Sequence, residues 1–181
     1  MGSIPRYAAA IVAIALVAVA CTSDDVDGTS SPASPEQTTT TLASSTAVDE
    51  AIVVPPRLAG FEVDEVAVGD RRLLLAIADS PDLRAQGLMG VTDLGDLDGM
   101  LFYWRHEAGG GFWMKDTLVP LDIVWFLEDG TFAGRASMVP CIEDPCPTYS
   151  PGAGVDYRYA IEAAPGGLDW VDESTVIAYS D

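Results

Sequence analysis

The chain has 181 residues, enough for one domain and appendages, and carries 28 acidic against 9 basic side chains, a formal net charge of −19. That balance argues against nucleic-acid binding, which needs clustered Lys and Arg, and against adhesion to anionic lipid through a basic patch. One lysine is present, Lys115; the other basic residues are arginines and a single histidine, His106.

Residues 1–20 read as an export signal. Arg6 precedes an apolar run from Tyr7 to Ala20. As a helix that run would be roughly 21 Å long, too short for a bilayer core of about 30 Å but suited to a secretory h-region. It ends in Val17-Ala18-Val19-Ala20-Cys21, where small residues and a Cys at the cleavage edge are similar to a bacterial lipoprotein box, with Ala18 in place of the usual Leu. Cys21 is therefore expected to carry lipid and to anchor the chain to the outer face of the cell membrane; the alternative is a plain secreted protein. Residues 21–57, rich in Ser, Thr and Pro, read as a disordered tether with too few apolar side chains to offset the entropy of ordering.

Residues 58–181 read as one globular domain. Phe61 to Val68 alternates as a half-buried strand, Gly69-Asp70 marks a turn, and Leu73 to Ala78 returns. Ser80-Pro81 reads as an N-cap with Pro at the first helical position, opening a short helix near Asp82 to Leu88. Met100 to Trp104, Phe112 to Met114 and Leu121 to Leu127 read as strands, with Gly109-Gly110-Gly111 as a turn. Asp129-Gly130 is a hairpin signal between arms Asp122 to Leu127 and Phe132 to Ser137, with positive φ expected at both turn residues. Tyr157 to Ala163 and Thr175 to Tyr179 supply the last strands. Short strands without a long amphipathic helix point to a mainly-β fold, a compact β-sandwich or barrel-like domain with small helical insertions.

Cysteine arithmetic pairs the remaining thiols. With Cys21 lipidated, Cys141 and Cys146 are left as a pair in a compartment that permits disulfides. Their spacing differs from a Cys-x-x-Cys redox motif, and Pro140, Pro145 and Pro147 stiffen the loop, so a structural staple is the expectation over a redox centre. No metal site or cofactor is expected. His106, beside Glu107, reads as a solvated loop residue; Asp96-Leu97-Asp98-Gly99 fails the calcium-loop register; and the Gly run lacks the Lys-Ser/Thr of a phosphate loop.

Three stretches carry a resemblance: Arg84-Ala85-Gln86-Gly87-Leu88-Met89, Gly99-Met100-Leu101-Phe102, and Phe112-Trp113-Met114-Lys115-Asp116-Thr117-Leu118-Val119-Pro120-Leu121-Asp122-Ile123, with Pro140-Cys141 and Cys146 downstream. In this order they resemble the family called domain of unknown function 192, over about Phe61 to Tyr179. The resemblance implies a compact, largely β domain, often exported, and supplies no catalytic residue. Two positions depart from the family's pattern: Val91 after Met89-Gly90, where Arg is frequent, and Asp172-Glu173-Ser174-Thr175, which lacks a Gly-Asp turn.

Candidate ligand-binding residues are Trp113, Lys115, Asp116, Asp122 and Arg84. On an extended strand Trp113 and Lys115 share one face, and Phe112, Met114 and Asp116 the other. A Lys beside a Trp suits a sugar or another polar small ligand, or else the stretch is core strand with Lys115 snorkelling outward and Asp116 in a turn. Asp122 could be a general base, a ligand group, or the ion-pair partner of Arg84 or Lys115, and Glu162 is ambiguous in the same way. The expectation is a non-catalytic binding or accessory module for a cell-envelope glycan or partner protein. The alternatives are a hydrolase-like envelope enzyme using Asp122 or Glu162 with Lys115, and an accessory protein with no small ligand.

Overall fold

The computed structural model describes residues 51–180; the signal segment, Cys21 and most of the tether lie outside the described residues. The strands are β1 (Glu62–Val68), β2 (Arg71–Ala78), β3 (Gly99–Ala108), β4 (Phe112–Trp113), β5 (Leu121–Phe126), β6 (Phe132–Met138), β7 (Thr148–Tyr149), β8 (Tyr157–Ala163) and β9 (Ile177–Ala178). Seven of them form one sheet in the order β6-β5-β8-β3-β2-β1-β9, curled into a half-barrel, and β4 pairs with β7 in a separate ribbon. The mainly-β, barrel-like expectation holds.

The sheet is buried on both faces, which explains why β5 and β8 read as near-continuous apolar runs. On one face Met100, Phe102, Ile123, Trp125 and Ala160 pack with Leu88, Met114 and Met138. On the other, Leu75, Leu101, Val124, Phe126 and Ile161 pack with Leu168, Val171 and Ile177. β2 and β3 are parallel, so a crossover must join them. It holds the helix α1 (Pro81–Gln86), whose N-cap Ser80 accepts a hydrogen bond from the Leu83 backbone N–H. α1 stops at Gly87, whose φ of 48° is in the left-handed region.

Five sequence expectations change. The end of the tether belongs to the domain: Val53 N–H donates to Asp96 Oδ2 at 2.7 Å, Asp96 N–H donates to the Val53 carbonyl at 3.0 Å, and Leu58 is fully buried. The helix is shorter than Asp82 to Leu88, because Gly87 turns the chain away. The last strand shrinks to Ile177–Ala178, because Asp172 draws the preceding residues into a turn, its Oδ1 accepting from the Ser174 N–H and hydroxyl. His106 is an exposed residue within β3, not in a loop. The hairpin tip has positive φ at Gly130 alone (83°). Gly130 N–H bonds the Leu127 carbonyl, and Asp129 Oδ1 accepts from the N–H and hydroxyl of Thr131, so a four-residue turn whose last residue is the left-handed Gly130 closes the arms.

Candidate functional site

β4 ends after two residues because the chain turns at Met114 to Thr117. Thr117 N–H bonds the Met114 carbonyl, and Asp116 has a φ of 55°. Trp113 and Lys115 still meet, with Lys115 Nζ 5.4 Å from the Trp113 ring centroid. Met114 is fully buried, whereas Asp116 is exposed; the turn ends the alternation that would have placed Asp116 with Phe112 and Met114.

Arg84 is tied to the fold by backbone. Its Nη1 donates to the Asp79 carbonyl (2.6 Å) and the Tyr103 carbonyl (2.8 Å), and its guanidinium lies 5.1 Å from the Trp104 ring centroid. Partial desolvation lowers its pKa, with Asp79 opposing. The ion pair expected between Asp122 and Arg84 or Lys115 is not formed. Asp122 is buried and its two oxygens accept from Ser137 Oγ and the Gly166 N–H, each at 2.7 Å, so neutral donors compensate its burial.

Glu162 is different. It is only 5 % exposed, and among the described residues no hydrogen bond or ion pair reaches its carboxyl. It lines a cavity of about 40 Å³ together with Arg84, Gln86, Phe102, Phe112 and Trp113. Desolvation pushes its pKa up to about 8, so the carboxyl is protonated at neutral pH. Of the sequence candidates this cavity collects Trp113, Arg84 and Glu162; Lys115, Asp116 and Asp122 are not among its walls. A larger cleft of about 550 Å³ lies between the segment 88–98, Val119 to Leu121 and Ala164 to Gly167. Its two carboxylates are already engaged, Asp93 by the Gly95 N–H and Asp98 by the Leu74 N–H. Sequence reasoning missed Gln86, Phe102 and Phe112 as cavity walls. The available signal was an acidic residue inside the apolar run Tyr159-Ala160-Ile161-Glu162-Ala163.

Cys141 and Cys146 sit at disulfide distance, with Cα atoms 5.5 Å apart. The segment they close leans on the Met114 turn, the Cys141 N–H bonding the Met114 carbonyl at 3.4 Å, and the Val139 N–H bonds the Tyr149 hydroxyl at 3.3 Å.

A model of domain of unknown function 192, described as "Uncharacterized ACR", matches residues 64–174. The chain belongs to this family. The match includes Val91, a buried core residue, and ends within the second departure, where Asp172 forms the turn ahead of β9. Among solved structures, the domain is similar to a protein of unknown function from Novosphingobium aromaticivorans (24 % identity, TM-score 0.58, covering 72 % of this chain and 94 % of that one). It is also similar to a protein from Sinorhizobium meliloti described as a candidate transcription regulator (23 % identity, TM-score 0.56, covering 65 % and 94 %). At these identities both likenesses establish the fold. No curated protein gives a significant match.

Proposed function

We propose that this member of the domain of unknown function 192 family is an exported, lipid-anchored envelope protein whose domain is a non-catalytic binding module for a partner protein, docking through the surface around Trp113 and Lys115. One observation carries the reading. Among the described residues seven large apolar side chains are exposed, and four of them, Trp113, Leu118, Val139 and Ile142, lie on two adjoining segments. Those segments are joined by the β4–β7 ribbon and by the Cys141–Met114 hydrogen bond. Clustered exposed apolar side chains around an aromatic anchor are characteristic of protein interfaces. Leu118, Val139 and Ile142 offer no hydrogen bonds to a sugar, which favours a polypeptide over a glycan. The hydrolase reading has less support, since Asp122 is held by neutral donors and Lys115 does not line the Glu162 cavity.

Site-specific photo-crosslinking in intact cells tests this reading. A crosslinker at Leu118 or Val139 is expected to trap one defined protein adduct, lost when Trp113→Ala and Ile142→Ser are combined. Adducts equal to those from a crosslinker at exposed Glu65 would reject the interface. Binding to purified cell-wall polysaccharide that is lost in the same double variant would restore the glycan as ligand. The lipid anchor is tested by Cys21→Ser and cell fractionation: the variant is expected to leave the membrane fraction, and unchanged fractionation at unchanged mass would reject lipidation.

A further inference from the structure

The cavity over Glu162 is separate from the apolar patch, although Trp113 borders both. We infer that this cavity binds a primary ammonium group, with the Glu162 carboxylate as counter-ion and Phe102, Phe112 and Trp113 as an aromatic wall.

The case begins with the carboxyl. A carboxyl withdrawn from bulk water without a protein partner is costly unless water or a ligand reaches it. Glu162 has no partner among the described residues, and its side chain borders an open space. That space, about 40 Å³, is more than the roughly 10–15 Å³ needed to hold one water and admits a small polar head group such as an ammonium. The wall is aromatic, with Phe102 and Phe112 packed edge to face at 5.0 Å between centroids. A carboxylate beside aromatic rings is the combination that recognises ammonium ions. One wall residue already contacts an ammonium, Lys115 Nζ lying 5.4 Å from the Trp113 ring centroid.

Other occupants fit less well. Among the described residues no group of three or more metal-ligating side chains exists, and a hard divalent cation requires several oxygen ligands. An anion would meet a carboxyl inside a protein of net charge −19. The charged neighbour on the cavity wall is Arg84 of α1, whose Nη1 is held by the Asp79 and Tyr103 carbonyls and whose guanidinium is stacked on Trp104. The other packed elements present Met100 and Phe102 from β3, Phe112 from β4 and Ile123 from β5, none of which titrates.

Binding is coupled to a proton. An alkylammonium enters as R–NH3⁺, the protonated Glu162 carboxyl releases its proton to water, and the ion pair R–NH3⁺ with carboxylate remains. One proton is therefore released per ammonium bound below the titration of Glu162, and affinity rises with pH up to about 8.

The test uses the full chain, purified in detergent, with ¹³C-labelled glutamate and the Glu162 carboxyl carbon followed by NMR. Excess methylammonium chloride is expected to move that signal saturably at pH 7. It is also expected to lower the titration midpoint at least tenfold, about one pH unit. Potassium chloride at equal ionic strength is expected to do neither. No saturable change with methylammonium, or an equal change with potassium, overturns the site. A second arm uses N-acetyl-lysine amide: a matching response assigns the site to lysine side chains, and a response to methylammonium alone assigns it to small free amines. Lys115→Met is expected to leave the response intact; a methylammonium response seen only in that variant means that Lys115 itself occupies the cavity and overturns an external ligand. Glu162→Gln is expected to abolish the methylammonium-induced shifts of the Phe112 and Trp113 ring signals.

Discussion

Asp122 and Glu162 lie on neighbouring strands one register step apart, Asp122 opposite Ala163 and Ile123 opposite Glu162, and their side chains point to opposite faces of the sheet. The two carboxyls therefore cannot flank one substrate bond, as a pair of acid/base carboxylates must. Each has its own environment: one is satisfied by a hydroxyl and a backbone N–H, and the other is unpartnered beside a cavity.

Asp122 is expected to act on stability. Asp122→Ala leaves the Gly166 N–H and the Ser137 hydroxyl without their acceptor, at a cost of about 1–3 kcal/mol. Asp122→Asn keeps an acceptor oxygen and is expected to cost less. Urea denaturation of the three proteins checks the order, and equal midpoints would remove Asp122 from the structural account.

Glu162 is expected to make stability depend on pH. Its folded pKa, about 8, lies above the ordinary 4.5, so between those values the native state binds more protons than the unfolded one. Its contribution is fully present below about pH 4.5 and is lost as pH rises through about 8, at up to about 1.4 kcal/mol per pH unit. Asp129 and Asp172, whose carboxyls are lowered by hydroxyl and backbone donors, act in the opposite sense and only below their ordinary range near 3.8. Melting temperature should therefore fall from pH 5 to pH 8 in the native chain and stay flat in Glu162→Gln. A slope that survives the substitution would assign it to another group.

Gly130→Val is expected to destabilise the domain by about 1–3 kcal/mol. The added Cβ would need a left-handed φ and would collide with the Ile177 carbonyl oxygen. The same carbonyl group region is tied to the hairpin tip by the Ile177 N–H to Gly130 carbonyl bond, so β9 should loosen as well. Hydrogen exchange at Ile177 checks this; unchanged exchange and an unchanged denaturation midpoint would contradict the turn geometry.

Replacing both Cys141 and Cys146 with Ser is expected to cost roughly 2 kcal/mol, the chain-entropy value for so short a loop. Intact mass after alkylation with and without reductant checks the bond itself. Two alkylated thiols in the unreduced protein would reject the bond, and an unchanged melting temperature in the double variant would reject its stabilising role.

Much of this fold could be read locally. Ser80-Pro81 announced its helix because a cap and a fixed φ act within a few residues, and the alternation in β1 and the Asp129-Gly130 turn acted over similarly short distances. The type of that turn was misread because only Gly130 takes positive φ, while Asp129 spends its side chain on Thr131. The site was less legible because its determinants are far apart in sequence. Asp122 is satisfied by Gly166, and the Glu162 cavity is closed by residues of α1, β3 and β4 that no spacing rule connects. An extended strand through Asp116 and a turn at Asp116 were both compatible with the local sequence, and the turn from Met114 to Thr117, with Asp116 left-handed, is the one formed.

The reciprocal bonds between Val53 and Asp96 also decide where mechanical load would enter the domain. Tension on the chain ahead of residue 53 falls first on two hydrogen bonds to the segment that borders the large cleft, and reaches the sheet only after Leu58 is drawn from its pocket. A pull would therefore distort that rim while the ladder between β1 and β2 remained paired, and the cleft would register force sooner than the sheet.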